Sequence, residues 1–253
     1  MDDPRTQKRL ICIRHARSEG NEFMARPGNE WGDATFRDDP DLIDAKLTPT
    51  GMKQVQEELL PKFQAKDDDD DYYVKLLRDV DLILVSPLTR TQQTFQYGVL
   101  PALKQHNGNN NLPPILAHAL ASERVYTASD TGRYVQELAQ EFPWVDWSII
   151  EGHTDQKWWY TGSMEEEFPE WRPFGQGQWY AVPGEPMPVF TERMKALEEW
   201  IAAREEQTIL LVAHWGVIRY LTGGYESANC EVKVLDNWVP LHQQEEQTTT
   251  IGG

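Results

Sequence analysis

Two histidines and two arginines stand at or just after the ends of three apolar runs of the sequence: Arg14, His15, Arg90 and His214. A neutral imidazole is a nucleophile near pH 7, and the planar fork of an arginine matches the oxygens of a phosphoryl group. If these side chains converge, arginine could hold a phosphate monoester while one histidine attacks phosphorus. The residue types therefore favour phosphoryl transfer through a phosphohistidine.

Phosphoryl transfer of this kind needs no metal ion. Arg14, Arg90 and a protonated second histidine would neutralise the equatorial oxygens of the transition state. The leaving oxygen needs a proton, and hydrolysis of the phosphohistidine then needs a base. We expect Glu123 to serve as both, because it falls at the end of a predicted strand and so near the same rim. A carboxyl that faces a bound dianion should have a raised pKa, which suits an acid that later becomes a base.

The three apolar runs predict the strands that would bring these groups together. Residues 9–13 are apolar at four of five positions, and the later runs end at Ser86 and at His214. Short apolar runs that stop abruptly are typical of buried strands. In an open α/β sheet, functional groups collect in the crevice outside the carboxyl ends of parallel strands. One crevice should therefore hold both arginines and both histidines.

Helical patterns separate the predicted strands. Thr48 can cap the first helix, and Pro49 fits its first position. Asp130 is interpreted as the cap of a later helix. The sequence predicts helices over 49–63, 90 to about 104, 131–142 and 188–206, and a last strand over 231–237.

The charge balance argues against nucleic acid as the main partner. The chain has 24 basic and 41 acidic residues, a formal net charge of -17. Nucleic acid would need a basic face that releases counterions, so we do not expect it as a partner. A cluster of arginine and histidine inside so acidic a protein favours an anionic ligand.

Cysteine usage and hydropathy indicate the compartment. The two cysteines, Cys12 and Cys230, are too few for a disulfide framework and show no metal spacing, which favours a reducing compartment. No apolar run approaches the length of a membrane span, and the first residues lack the charged-then-apolar order of a signal peptide. We therefore expect a cytoplasmic protein without a membrane partner.

Residues 143–188 differ in composition from the rest of the chain. Six tryptophans lie there among Pro, Gly and Glu with little periodicity. We interpret this segment as part of a lid insertion, at about 105–188, that buries its aromatic rings to stabilise irregular backbone. A second insertion, a long loop over 22–47, is expected near the mouth of the site. With these two insertions, residues 1–253 are predicted to form a single domain.

Five ordered motifs resemble those of the histidine phosphatase superfamily, also called phosphoglycerate-mutase-like proteins. They are IRHARSEGN, LTPTGMKQ, SPLTRTQQT, SERVY and AHWGVIR, and they span residues 10–222. The resemblance implies a phosphoglycerate-mutase-like domain, which is an α/β three-layer sandwich with a mostly parallel central sheet flanked by helices, here with a Trp-rich lid insertion. No cofactor and no metal are expected.

The resemblance also implies a role for each matched residue. His15 would be the nucleophile and Glu123 the proton donor. Phosphate would be held by Arg14, Asn21, Arg90 and His214, and the rest of the substrate would lie near Arg124 and Tyr126. Two departures from the family pattern, Ala16 and Trp215, remove no catalytic group, although Trp215 could narrow the pocket.

Three functions are left open. A phosphatase is favoured because Thr91 follows Arg90, where the mutase branch commonly has alanine. A mutase, which would return the phosphoryl group to another hydroxyl of the bound substrate, is supported by SERVY and by a lid that could exclude water. A non-catalytic anion-binding or regulatory protein is supported only by Trp215 and the Trp-rich lid. The partner would be a small phosphorylated substrate or a phosphoprotein, and the oligomeric state is left open.

Overall fold

A mostly parallel sheet lies at the centre of the computed structural model, which describes residues 8–27, 42–64, 71–108, 111–151, 157–162 and 184–241. The strands in these ranges are β1 (Lys8–Arg14), β2 (Leu82–Val85), β3 (Ile115–Ala117), β4 (Thr208–Ala213) and β5 (Val232–Trp238). They form a sheet in the order β3-β2-β4-β1-β5. The pairs β1–β4, β2–β4 and β2–β3 are parallel, whereas β5 runs antiparallel to β1.

Helices flank this sheet. Those in the described ranges are α1 (Glu19–Met24), α2 (Pro49–Gln54), α3 (Leu60–Phe63), α4 (Tyr72–Arg78), α5 (Thr89–Gly98), α6 (Leu100–Asn107), α7 (Val135–Glu141), α8 (Ser148–Glu151), α9 (Met187–Ala203) and α10 (Trp215–Leu221). A π turn, Val55–Leu59, joins α2 to α3, and short 3-10 helices lie at Ala119–Ala121 and Ala128–Asp130. None of the described helices has the length and apolar character that a membrane span requires.

The sheet separates two hydrophobic cores, because successive side chains of a strand point to opposite faces. On β1, Ile11 and Ile13 pack in the core that α3, α4, α5, α6 and α7 cover. Leu10 and Cys12 pack on the other face, in the core that α9 and α10 cover. Strands that are buried on both faces read as continuous apolar runs. The predicted α/β fold, with a mostly parallel sheet flanked by helices, is therefore confirmed.

The helix predicted after residue 48 is present, and it supports the loop that follows β1. Thr48 caps it by accepting a hydrogen bond from the Gly51 N–H at 3.0 Å, and Pro49 occupies its first position. A β-carbon on Gly51 would lie 2.0 Å from the Arg17 carbonyl oxygen, so only glycine permits this close approach. The capped end of α2 thus holds the backbone two residues after His15.

Two elements near the predicted site differ in extent from the prediction. The strand expected to end at Glu123 ends at Ala117, and a 3-10 helix follows it, so that Glu123 lies in a loop. The helix expected over 90–104 is interrupted after Gly98. Pro101, in the first turn of α6, lacks the N–H that a continuous helix would need there.

Asp130 does not cap the helix that was expected over 131–142. That helix, α7, begins only at Val135. Asp130 ends a 3-10 turn, where its carboxylate accepts the backbone N–H groups of Tyr126 at 3.1 Å and of Thr127 at 3.2 Å. Both backbone donors of the turn bind Oδ2 of this carboxylate, and the helix starts five residues later, so the interpretation as a helix cap was wrong.

The two predicted insertions, over 22–47 and about 105–188, lie partly outside the described residues. Within the described part, Trp158 is buried, and its Nε1 donates to the Arg133 carbonyl oxygen at 3.0 Å. The lid as a whole stays a prediction, as does the division into one domain with two insertions. Within the two insertions, residues 28–41, 109–110, 152–156 and 163–183 lie outside the described residues.

Candidate active site

The carboxyl ends of β1, β2 and β4 meet at one edge of the sheet, because these strands are adjacent. The His15 N–H donates to the Ala213 carbonyl oxygen at the end of β4, and the Ser86 N–H donates to the Val212 carbonyl oxygen, both at 3.0 Å. The rings of His15 and His214 lie 5.1 Å apart, centroid to centroid. The structure therefore brings together two histidines that are far apart in the sequence.

The hydrogen bonding of His15 defines its tautomer. Its Nδ1 lies 2.7 Å from the Ala16 carbonyl oxygen, which can only accept, so Nδ1 carries the proton and Nε2 keeps a lone pair. Burial, together with the positive charges of Arg90 and Arg14, holds the pKa of His15 well below its usual value. The imidazole is therefore neutral at physiological pH, which is the state that a nucleophile needs.

His214 is fully buried beside His15. Its Nε2 lies 2.7 Å from Ser86 Oγ, and its Nδ1 is buried without a partner among the described residues. Burial and the charge of Arg90 hold the pKa of His214 well below its usual value. Without a bound anion, a protonated His214 would be a cation buried near guanidinium groups. A phosphate dianion would oppose this effect, since an anion favours the protonated form. The protonated second histidine that is expected in the transition state stays a prediction.

Arg90 lies in the first turn of α5 with only 3% of its surface exposed. Its Nη1 donates to the Ser129 carbonyl oxygen at 2.6 Å, and its Nη2 pairs with Asp130 Oδ1 at 2.8 Å. A cation at the start of a helix opposes the helix dipole unless an anion lies nearby. Asp130 is that anion, and with Ser129 it fixes the orientation of the guanidinium.

Arg14 is anchored from a different part of the chain. Its Nη1 donates to the Ser227 carbonyl oxygen at 2.5 Å. Its Nε is buried and has no hydrogen-bond partner among the residues that the structure describes. Because Arg14 and Arg90 line the same cavity as His15, two guanidinium groups face one space that could hold an anion.

Asn21 is the third residue of α1 and forms a reciprocal cap with Ser18. The Asn21 N–H donates to Ser18 Oγ, and the Ser18 N–H donates to Asn21 Oδ1, both at 3.2 Å. The side-chain oxygen of Asn21 is therefore occupied by the backbone. Its Nδ2 is left to donate, and Asn21 lines the cavity.

Glu123 is buried at the N-terminal end of α10, although it does not end a strand. Its Oε1 accepts the Arg124 N–H at 2.9 Å, and its Oε2 accepts the Gly216 N–H at 3.2 Å. Burial raises the pKa of Glu123, and the negative charge of Asp130 raises it further. The direction is the one expected for a general acid, although the cause lies in the protein itself and not only in a bound dianion.

Replacing Gly216 with alanine is expected to displace the Glu123 carboxylate, because a β-carbon at Gly216 would lie 2.4 Å from Glu123 Oε1. Overpacking of a buried site costs about 1–3 kcal/mol, which exceeds the roughly 1 kcal/mol that alanine gains over glycine in a helix. Urea denaturation measures the loss of stability. Glu123→Asp is the matched background, because its shorter side chain withdraws the carboxylate. Gly216→Ala should lower the free energy of unfolding by less in the Glu123→Asp variant than in wild type. An equal loss in both proteins would contradict this packing argument.

The predicted site residues line a cavity of about 690 Å³, with two exceptions. Arg124 does not line it: its Nε donates to the Glu185 carbonyl oxygen at 2.7 Å, and its Nη1 donates to the Tyr126 hydroxyl at 3.2 Å. Arg124 therefore supports Tyr126, which does line the cavity. His214 is also absent from the lining and lies beneath the ring of His15, at the distance given above.

Several lining residues were not predicted. Ser129 and Asp130 hold Arg90, whereas the sequence predicted Asp130 only as a helix cap. Their role depends on a contact across some 40 residues, which no local pattern reveals. Trp215, which departs from the family pattern, lines the cavity, and its Nε1 is held by Glu226 Oε2 at 2.7 Å. The lining residues outside the predicted site set are Ser18, Gly20, Met24, Ala25, Thr127, Ser129, Asp130 and Trp215.

Comparison with known proteins supports the resemblance drawn from the motifs. Residues 129–231 match the family model described as histidine phosphatase superfamily (branch 1). A "Phosphoglycerate mutase-like protein" of Arabidopsis thaliana is 26% identical over 245 residues, which cover 88% of this chain and 77% of the relative. The resemblance to the histidine phosphatase superfamily is therefore confirmed.

Solved structures with similarity to this chain include two bacterial enzymes. The alpha-ribazole phosphatase of Shigella flexneri is 18% identical, with a TM-score of 0.47 and coverage of 90% of each chain. The phosphoglycerate mutase of Bacillus anthracis is 13% identical, with a TM-score of 0.46 and coverage of 92% of this chain and 90% of the other.

Proposed function

From the confirmed resemblance to the histidine phosphatase superfamily, we propose that this chain is a metal-independent phosphatase that hydrolyses a phosphate monoester through a phosphohistidine on His15. The observation that carries the proposal is the state of the His15 imidazole. It is buried and neutral, its Nδ1 is committed to the Ala16 carbonyl oxygen, and it shares a cavity with Arg14 and Arg90. A lone pair on Nε2 therefore faces groups suited to hold a phosphoryl dianion.

In the first step, His15 Nε2 forms a bond to phosphorus and the bond from phosphorus to the leaving oxygen breaks. Arg14 and Arg90 stabilise the charge on the equatorial oxygens, and Asn21 Nδ2 adds a neutral donor. Glu123, whose raised pKa keeps its proton available, protonates the leaving oxygen. The alcohol departs, and the phosphoryl group stays on His15.

In the second step, water attacks the phosphohistidine. The Glu123 carboxylate formed in the first step takes a proton from this water, the nitrogen–phosphorus bond breaks, and the electron pair returns to His15 Nε2. Phosphate leaves, with Glu123 protonated and His15 neutral again. The Ala16 carbonyl oxygen stabilises the transient positive charge on the ring through the Nδ1 proton, so the tautomer is kept throughout.

The proposed activity is tested by phosphate release from an aryl phosphate in the presence of a chelator. Wild type should turn over under these conditions, and rapid acid-free quenching should recover phosphate bound to histidine. Turnover that disappears with chelator and returns with a divalent cation would contradict the metal-independent mechanism. A protein that binds inorganic phosphate but never releases it from any monoester would instead be an anion-binding protein.

Replacing Glu123 with glutamine should slow hydrolysis of an alkyl phosphate about 10²–10⁴-fold, the usual contribution of a general acid. Hydrolysis of a nitrophenyl phosphate should slow far less in the first step, because nitrophenolate departs without a proton. The measurement is kcat/KM for both substrates. Glu137→Gln, an exposed change on α7, is the matched control and should leave both values unchanged. Equal losses with both substrates would argue against Glu123 as the acid.

The pH profile provides a second readout of the same residue. The pKa of Glu123 is raised and that of His15 is lowered, so there is a pH window in which the acid is protonated and the nucleophile is neutral. Alkyl phosphate hydrolysis should fall as pH rises through the Glu123 pKa, because the proton for the leaving oxygen is lost. Glu123→Gln should lack this limb.

A mutase is the second candidate, because a curated relative of this chain is named "Phosphoglycerate mutase-like protein". Conversion of 3-phosphoglycerate to 2-phosphoglycerate without release of phosphate, in the presence of a bisphosphorylated primer, would favour it. Release of free phosphate without that conversion would favour hydrolysis.

The cavity of about 690 Å³ suits a small phosphorylated metabolite, which we propose as the substrate class ahead of a phosphoprotein.

The cysteines fit the proposed cytoplasmic location. Both are free and buried, and burial raises the pKa of each thiol to about 12, so neither is reactive. Fractionation of cells that produce the native protein tests the location. Recovery in an oxidising compartment would contradict it.

A further inference from the structure

We propose that Asn229 is a positioning residue that orients the phosphate-binding groups of this site, a role that rests on the proposed function. Asn229 lies in the loop between α10 and β5 and is half-buried. Its Nδ2 donates to the His15 carbonyl oxygen at 2.8 Å and to Asn21 Oδ1 at 3.3 Å. One amide group thus contacts both the residue proposed as the nucleophile and a residue proposed to bind phosphate.

The orientation of the Asn229 amide follows from its partners. A backbone carbonyl oxygen such as that of His15 can only accept a hydrogen bond, so the nitrogen of Asn229 must face it. The second hydrogen on the same nitrogen then points to Asn21. Exchange of the Asn229 nitrogen and oxygen would place two oxygens against each other, which excludes the flipped amide.

Asn229 in turn selects the orientation of the Asn21 amide. Asn21 Oδ1 accepts two hydrogen bonds, from the Ser18 N–H at 3.2 Å and from Asn229 Nδ2 at 3.3 Å. Because two donors fix the position of Oδ1, the Nδ2 group of Asn21 must lie on the opposite side of the side-chain amide. Asn21 lines the cavity, so the amide presents only donors to an anion, and the repulsive oxygen is kept away.

The loop that carries Asn229 is fixed to the end of β1. The Cys230 N–H donates to the Arg14 carbonyl oxygen at 3.1 Å, and the Arg14 N–H donates to the Glu231 carbonyl oxygen at 3.2 Å. Ser227 in the same loop accepts from the Arg14 guanidinium. Backbone hydrogen bonds therefore hold the loop of Asn229 in place. The hydrogen bond from Asn229 Nδ2 to Asn21 Oδ1 then fixes the orientation of the Asn21 side chain.

The test measures binding of inorganic phosphate by titration calorimetry, with KM and kcat for an aryl phosphate. Asn229→Ala should weaken phosphate binding about tenfold and raise KM by a similar factor, the equivalent of one or two hydrogen bonds. The value of kcat should change less, because His15 keeps its own bond to Ala16. A purely structural role would instead lower thermal stability and kcat while KM and the phosphate Kd stayed at wild-type values, and that result would overturn the proposal.

A double-mutant cycle with Asn21 separates positioning from general damage. Asn229→Ala in an Asn21→Ala background should weaken phosphate binding by less than about threefold, because the amide that it orients is already absent. The full tenfold effect in both backgrounds would overturn the proposal. Asn111→Ala, which removes an exposed amide before β3, is the matched control and should bind phosphate as wild type does.

The proposal and the proposed function fail in different ways. Wild type that binds phosphate but turns over no monoester would overturn the function, while the calorimetric cycle would still decide the role of Asn229. Wild-type turnover combined with unchanged phosphate binding in Asn229→Ala would overturn the positioning role alone. Wild type that binds no phosphate would overturn both.

Discussion

Replacing His15 with alanine is expected to lower the turnover of an aryl phosphate by at least about 10⁴-fold, because it removes the atom that bonds to phosphorus. Nothing nearby substitutes for it among the described residues. His214 is fully buried and does not line the cavity. The measurement is nitrophenol release in the presence of a chelator. After rapid quenching, phosphohistidine should be recovered from wild type and not from His15→Ala.

The matched control for this variant is a second histidine that lies away from the site. His106 Nε2 lies 2.8 Å from the Phe63 carbonyl oxygen, and His106 lines no part of the described cavity. His106→Ala should keep the wild-type rate and the phosphohistidine. If His15→Ala turned over as fast as the control, the nucleophile would lie elsewhere and the mechanism would be wrong.

Replacing Arg90 with methionine is expected to cost both activity and stability. The substrate loses a guanidinium that stabilises the transferring phosphoryl group, which should lower kcat/KM about 10³-fold. Asp130 keeps two backbone donors but loses its ion pair, and a buried carboxylate left without its partner costs about 3–5 kcal/mol. Urea denaturation and kinetics on the same preparations measure the two effects.

The stability loss of this variant should grow as pH rises. Burial raises the pKa of Asp130, and Arg90 opposes that shift, so removal of Arg90 raises the pKa further. A carboxyl whose pKa is raised in the folded protein contributes stability below its unfolded pKa and loses that contribution as pH rises through the folded value. The deficit relative to wild type should therefore be larger at about pH 7 than at about pH 5.

The control for the Arg90 argument removes the carboxylate as well. Arg90→Met combined with Asp130→Asn leaves no buried charge at this position, so part of the stability should return and the pH dependence should weaken. Activity should stay low, because the guanidinium is still absent. Equal stability deficits in the single and double variants at every pH would show that the ion pair does not explain the loss.

The groups of the candidate site could be predicted because they stand beside strong local signals. Arg14, His15 and His214 end apolar runs, and a buried strand leaves few alternatives for where its carboxyl end points. Once the strands are parallel and adjacent, their ends must share an edge. The meeting of the two histidine rings thus follows from hydrophobic patterning together with a general property of α/β sheets.

Glu123 shows where that reasoning failed although the residue was correctly placed near the site. It was assigned to a strand end, but β3 is only three residues long and a 3-10 turn follows it. The residue reaches the edge of the cavity through a loop, and the N–H of Gly216 at the start of α10 holds it there. A residue on a loop is positioned by contacts with residues far away in the sequence, and the periodicity of apolar residues cannot predict such contacts.

The sequence by itself determined the strands β1, β2 and β4, the capped helix after Thr48 and the identity of the groups that could carry phosphoryl chemistry, because burial and capping depend on neighbouring residues. The tertiary structure decided the protonation of the two histidines, the pairing of Arg90 with Asp130 and the link from Asn229 to Asn21. The physical reason is that desolvation, charge and hydrogen bonding act between groups that only folding brings together. A sequence pattern can identify such groups, whereas their protonation and charge depend on the neighbours that they have in the folded site.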